Sequence, residues 1–289
     1  MFDENQCDER SLVMAHALRS GHQLIKVMTA LSKRQADILQ VVREHGSRSI
    51  GELADALQVT TETIRRNIKP LIDEGLVSKF HGGVMLPQRT EEPPFQRRMH
   101  ENREAKQQAA KLAAKLIHNG DSIMLDTGAT TAYVAQALEN HTNLFVVTNC
   151  AQISWLLAPR GGNRVFMVGG ELRGDDAAAF GSAALTFIRQ FKVKYGVLSI
   201  GGISMSGDLM DFHYCEAEFS RGVMEQAEEV WVVADSSKLG REAPIKVCDL
   251  RAIDRILTNE KPAPEFLALC EQHDVKVMWD IDMLESEDI

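Results

Sequence analysis

Cysteine is scarce: five residues in 289 (Cys7, Cys150, Cys215, Cys248 and Cys270), with no C-x-x-C pair and no Cys/His cluster. That argues against a disulfide framework or a zinc finger and fits reduced thiols packed in a core. The nine histidines show no metal-ligand spacing either, so neither a metal nor a cofactor is expected. No apolar run approaches the roughly 18 residues that a membrane span needs. The N-terminus (Asp3, Glu4, Asp8, Glu9, Arg10) lacks the profile of a signal peptide. A soluble chain in the cytoplasm, with no membrane partner, is the expectation. Positive charge is in deficit as well, the net charge being −9. Taken whole, that argues against nucleic acid, but residues 29–90 hold nine Lys and Arg against seven Asp and Glu. Binding to nucleic acid needs only a local basic surface.

What is present begins with residues 50–83, IGELADALQVTTETIRRNIKPLIDEGLVSKFHGG. Before this stretch, Ser32 suits the cap of a helix with Ile38, Leu39, Val41 and Val42 on one stripe, ending at Gly46. A second helix runs from about Ser49, buries Leu53, Ala54 and Leu57, and breaks at Gln58-Val59. Thr60 or Thr61 caps a third, with Glu62 in its first turn. Ile64, Ile68, Leu71 and Ile72 recur at three- and four-residue spacing and form its inward face, leaving Thr61, Thr63, Arg65, Arg66 and Lys69 on the outside. Strand-like runs at 76–80 and 84–86 flank His81-Gly82-Gly83, a glycine-tipped hairpin. Two capped helices, a short turn and a wing are the parts of a winged helix-turn-helix, whose second helix reads base edges in the major groove. Double-stranded operator DNA is therefore an expected partner, with His81 and Gly82 added from the wing.

Beyond a polar stretch with Pro87, Pro93 and Pro94, residues 95–117 read as one long helix, solvated or facing another domain or subunit. From residue 119, mostly apolar strands (122–126, 144–148, 165–170, 195–200, 229–235, 255–258, 275–279) alternate with helices. Such alternation predicts a parallel sheet covered on both faces, with any ligand at the carboxyl ends of its strands. Polar residues and glycines gather at those ends: Asp126, Gly128, Thr130 and Thr131, then Thr148 and Asn149, Gly169 and Gly170, Gly202, and Lys238. The Asp126–Thr131 loop is neither a P-loop nor G-x-G-x-x-G. It offers hydroxyls and backbone N–H groups to a phosphate, and Lys238 offers an ammonium.

Thr63, Ile64, Arg65, Arg66, Leu71, Gly75, His81, Gly82 and Gly83 resemble the signature of the DeoR family of bacterial repressors, with Asn67 and Ile68 in place of its Asp-Leu. Pro70 is unexpected inside that helix, where it removes a hydrogen bond and crowds the preceding turn. The D-T-G-A-T-T loop, V-T-N, G-G-E-L, the run from Gly201 through Asp211 to Glu216, and A-D-S-S-K-L-G-R resemble the same family's sugar-phosphate-sensing domain. Ala129 replaces a threonine there. The resemblance covers about residues 30–280. It implies a Rossmann-like sensing domain, an effector that is a phosphorylated sugar or polyol, and Asp211 and Glu216 among the effector-binding residues. Runs 169–173, 187–191 and 211–214 are similar to a subgroup that answers to glycerol 3-phosphate, which becomes the first candidate.

The expected organisation is an extension of unknown role at 1–28, a winged helix-turn-helix at 29–86, a linker and connecting helix at 87–118, and an α/β effector domain at 119–289. A homo-oligomer, dimer or tetramer, is expected. The rival is a sugar-phosphate isomerase on the same fold, with Asp126, Asp211 or Glu216 moving a proton beside Lys238. A DNA reader on the same chain favours sensing over turnover.

Overall fold

A computed structural model describes residues 32–45, 47–73, 76–80, 82–85 and 92–286. His81 and the N-terminal extension lie outside the described residues. The chain divides at Pro87/Gln88 into two compact units.

In the first unit, helix α1 is Lys33–His45, strand β1 Ser47–Ser49, helix α2 Ile50–Ala56 and helix α3 Thr61–Asp73. Strands β2 (Ser78–Phe80) and β3 (Gly83–Met85) follow, and the three strands pair antiparallel in the order β1-β3-β2. Each helix start has a local reason. The Ser32 hydroxyl accepts from the Gln35 N–H at 3.2 Å. Ser49 and Glu52 form a reciprocal capping box at 3.1 and 2.7 Å. Of the two candidate caps for α3 it is Thr60 whose Oγ1 takes the Thr63 N–H, at 3.3 Å. Gln58, in the left-handed region at φ 51°, makes the break between α2 and α3. Ile38, Val42, Leu53, Ile64 and Leu71 are wholly buried and join the helices into one core. Helix α3 continues through Pro70 to Asp73. Strand β1 carries no apolar alternation, and its three residues escape a reading of the sequence.

The second unit opens with two helices where one was expected: α4 (Phe95–His100) and α5 (Arg103–Leu116). The break is made by Asn102 at φ 50°, whose amide donates to Asp235 Oδ1 (3.1 Å) and Ser237 Oγ (2.9 Å). The Lys106 ammonium donates to the carbonyls of Arg98 (2.7 Å) and Glu101, closing the end of α4. Nor is α5 a solvated connector, because Ala109, Ala110, Leu112 and Ala113 are buried in the core of this unit.

Seven parallel strands follow: β4 (Ser122–Leu125), β5 (Phe145–Thr148), β6 (Arg164–Met167), β7 (Val193–Leu198), β10 (Ala227–Val233), β12 (Arg255–Leu257) and β13 (Lys276–Met278). Helices α6 (Ala129–Ala137), α7 (Ala151–Leu157), α8 (Ser182–Ile188), α9 (Tyr214–Met224) and α10 (Pro264–Gln272) connect them. Strand order is β13-β12-β10-β7-β4-β5-β6. Chain direction across the sheet therefore reverses between β4 and β7, and a doubly wound sheet holds its ligand in the crevice at such a switch point. A small antiparallel sheet of β8 (Gly202–Ile203), β9 (Asp208–Asp211) and β11 (Ile245–Asp249) is an addition that the apolar pattern did not announce. No helix of the described residues is long and apolar enough to cross a membrane.

Candidate functional site

In the first unit, burial of Ile64, Ile68 and Leu71 fixes which face of α3 looks outward. Thr61, Arg65, Arg66 and Lys69 are exposed on it. Thr63 is half-buried and shares a hydrogen bond with Thr60 Oγ1 at 2.9 Å, so its hydroxyl belongs to the helix cap. Asn67 Nδ2 donates to the Thr63 carbonyl at 2.9 Å. Arg65 approaches Glu62 at 3.8 Å, a solvent-exposed pair that holds it only loosely. Gly82 sits in the β2–β3 turn at φ +87°, with its carbonyl accepting from the Ile50 N–H at 2.9 Å. The two arginines are thus offered to solvent on a helix whose opposite face is fixed in a core.

In the second unit, the switch point is knit together by Asp126. Both of its carboxylate oxygens accept from the Ser199 N–H, at 3.1 Å each, tying the end of β4 to the end of β7. Gly128 has to be glycine here, because a Cβ would lie 1.9 Å from Ser199 Oγ. Burial pushes the Asp126 carboxyl well up, against the lowering effect of the Ser199 and Thr131 hydrogen bonds. It is a brace under the site.

Above it lies a cavity lined by Thr130, Asp211, Glu216 and Lys238 of the residues expected from sequence. Asp126 and Gly128 do not line it, though Thr127, Ala129 and Ser199 beside them do, and Thr131 is buried with its hydroxyl on the Gly128 carbonyl at 3.2 Å. Gly202 packs against the Arg241 backbone, and it is Gly201 that lines the cavity. Thr148, Asn149, Gly169 and Gly170 are not brought to it. Thr148 Oγ1 accepts from the Cys150 N–H at 3.1 Å, closing the turn after β5, and Asn149 Nδ2 donates to the Ala179 carbonyl at 3.1 Å, fastening the loop after β6.

The cavity also takes residues outside the expected set: Glu92, Arg98, Asn102 and Lys106 from before the first strand, and Asp235 and Arg241 from the polar run after β10 that supplied Lys238. Arg98 Nη1 stands 2.9 Å from Glu92 Oε2, and Lys238 Nζ stands 3.8 Å from Glu92 Oε1. Burial, and then the neighbouring Arg241, bring the Lys238 ammonium down to about 8, against the pull of Glu92 and Asp235. Burial likewise pushes Asp211 well above the ordinary carboxyl range, with the charges of Glu216 and Glu92 adding to it. Glu216 is held by Arg173, which also grips Asp176 through Nε at 3.0 Å. Asp235 accepts from Asn102 through Oδ1, while among the described residues its buried Oδ2 and Arg98 Nε have no hydrogen-bond partner. The first turn of α6 contributes Ala129 and Thr130 to the wall, and a helix start leaves N–H groups free of intrahelical bonds. Cations beside a helix start suit an anion, and the carboxyls across from them suit hydroxyls.

A winged helix-turn-helix joined to a doubly wound domain with a charged cavity at its switch point defines a DNA-binding regulator with a separate sensor. The chain belongs to the DeoR family: residues 34–90 match the DeoR-like helix-turn-helix domain and residues 101–260 the DeoR C terminal sensor domain. It is similar to the glycerol-3-phosphate regulon repressor of Escherichia coli (strain K12), 33% identical over 246 residues that cover 85% of this chain and 98% of that protein. The glycerol-3-phosphate regulon repressor of Haemophilus influenzae is 34% identical over 231 residues, covering 80% and 90%. The HTH-type transcriptional repressor GlcR of Bacillus subtilis is 27% identical over 247 residues, covering 85% and 95%. The chain is accordingly a DNA-binding transcriptional repressor and not an enzyme. A solved ribose 5-phosphate isomerase A from Methanocaldococcus jannaschii is 20% identical over 48% of this chain and 55% of that one. With a TM-score of 0.37, that likeness is too slight to bear on chemistry.

Proposed function

We propose that this repressor controls a carbohydrate or polyol catabolic operon and leaves its operator when a phosphorylated sugar or polyol occupies the switch-point cavity. Glycerol 3-phosphate is the first candidate, on the strength of the relatives named for it. The observation that carries the reading is the pairing, in one cavity, of Arg98 and Lys238 with the acids Asp211, Glu216 and Asp235. The cations take the phosphate and the acids sort ligands by their hydroxyls. Thr61, Arg65, Arg66 and Lys69, with Gly82 at the wing, are the proposed operator-facing residues, acting in a homo-oligomer.

Release requires the ligand to favour the DNA-free form, since affinity alone shifts nothing. Glycerol 3-phosphate titrated into the protein–operator complex should free the DNA and be recovered unchanged. Retention of the complex across a panel of phosphorylated sugars and polyols would count against the whole reading.

Binding should also be linked to protons. Free Lys238 loses its proton near pH 8, below the ordinary lysine value of 10.5, because the buried ammonium is disfavoured. A bound phosphate dianion restores the charged form and raises that value. Between the two, the complex holds a proton that the free protein lacks. Calorimetry in buffers of different ionisation enthalpy should therefore show proton uptake at pH 9, with affinity falling as pH rises through 8. Proton release, or no uptake, would remove Lys238 from the phosphate.

A further inference from the structure

The cavity contains its own anion. Glu92 places one carboxylate oxygen 2.9 Å from Arg98 Nη1 and the other 3.8 Å from Lys238 Nζ, with its side chain only 5% exposed. A carboxylate spanning two buried cations occupies the position that a phosphate would need. The space left beside it, about 50 Å³, has room for a few water molecules. A phosphate that is to reach both cations must take the carboxylate's place. The match with Arg98 is also incomplete, because its buried Nε finds no hydrogen-bond partner among the described residues while Nη1 holds Glu92. A phosphate, with three acceptor oxygens, can take two guanidinium N–H groups side by side and still reach the ammonium.

We infer that Glu92 is a built-in competitor for the effector's phosphate, holding Arg98 and Lys238 in the free protein and being displaced from them when a phosphorylated ligand binds. This rests on the phosphorylated effector proposed above. Glu92 follows Pro87, where the first unit ends, by only a few residues. Exchange of one anion for another at Glu92 thus takes place close in sequence to the end of that unit.

The test measures inorganic phosphate binding by calorimetry to the full chain and to three variants, each checked for folding by its thermal transition. Glu92→Gln keeps the side chain's shape and removes its charge, and it should bind phosphate at least about tenfold more tightly than the parent. Glu101→Gln makes the same charge change at a lining residue whose carboxylate pairs with Arg97 (2.7 Å) and not with Arg98 or Lys238, and should change affinity little. Glu92→Asp, one methylene shorter, should show a smaller gain, and it carries the test if the glutamine variant does not fold. Lys238→Met should lose phosphate binding. Unchanged or weakened binding in Glu92→Gln, with Lys238→Met still defective, would overturn the competitor and leave the phosphate site standing. An equal gain in Glu101→Gln would overturn it too, by reducing the effect to the general field of the cavity. Absence of phosphate binding in every variant, Glu92→Gln included, would overturn the phosphate site itself.

Discussion

The Arg65→Ala/Arg66→Ala protein should lose operator binding by at least roughly thirtyfold, the sum of two contacts that each contribute about 1–3 kcal/mol. Its thermal transition should stay where it was. Both side chains are exposed on α3, whose hold on the rest of the unit comes from Ile64, Ile68 and Leu71. Alanine suits a helix at least as well as arginine, and the Arg65–Glu62 pair lost in the variant is a weak surface one. Lys69→Ala should behave differently, weakening binding by a similar factor on any sequence and lowering the salt dependence by about one released counterion. A gel-shift series at several salt concentrations separates the two behaviours. Wild-type operator affinity in the double variant would mean that another face of the unit meets DNA.

Lys238→Met should be nearly blind to a phosphorylated effector. Hydrogen bonds to a charged partner contribute about 1.5–3 kcal/mol, so affinity should fall roughly 10- to 150-fold. Operator binding without effector should persist, giving a repressor that does not respond. The variant should not be less stable than the parent, since methionine fills much of the volume of the lysine stem and removes an ammonium that burial already disfavours. Calorimetric titration beside a thermal melt reads both quantities. Parent-like effector affinity would show that the phosphate is held elsewhere.

Much of this architecture was legible in the sequence because its dominant signals are local. The spacing of Ile64, Ile68 and Leu71 orients α3 without help from other segments. The apolar runs from 122 to 279 mark seven buried parallel strands. What stayed hidden depends on partners far away in the chain. No glycine or proline marks the break between α4 and α5; it is held by Asn102 reaching Asp235 and Ser237, and by Lys106 reaching back to α4. The pocket divides in the same way. Thr130 and Lys238 were found because they belong to polar runs at strand ends, whereas Asp211 and Glu216 came from the family resemblance alone. Glu92 sits in the stretch that reads as linker and Arg98 in the helix expected after it, and only the folded chain sets Glu92 between Arg98 and Lys238. Thr148 and Asn149 carry the same kind of signal as Thr130, yet they fasten a turn and a loop, because polar groups that stabilise a turn and those that meet a ligand are chemically alike.

The switch-point cavity is assembled from segments running from Glu92 to Arg241, brought together by a sheet whose first and fourth strands lie side by side. No stretch of contiguous sequence contains it. A molecule bound there has no foothold on a partly unfolded domain, because loss of either half of the sheet removes half its contacts. Its stabilisation should therefore appear in the cooperative opening of the whole domain, at about 4 kcal/mol when ligand stands at a thousand times its dissociation constant. Amide hydrogens in the central strands should slow by the full factor, and those in the last turn of α10 should hardly change. Hydrogen exchange would then serve as a ligand assay that needs no DNA.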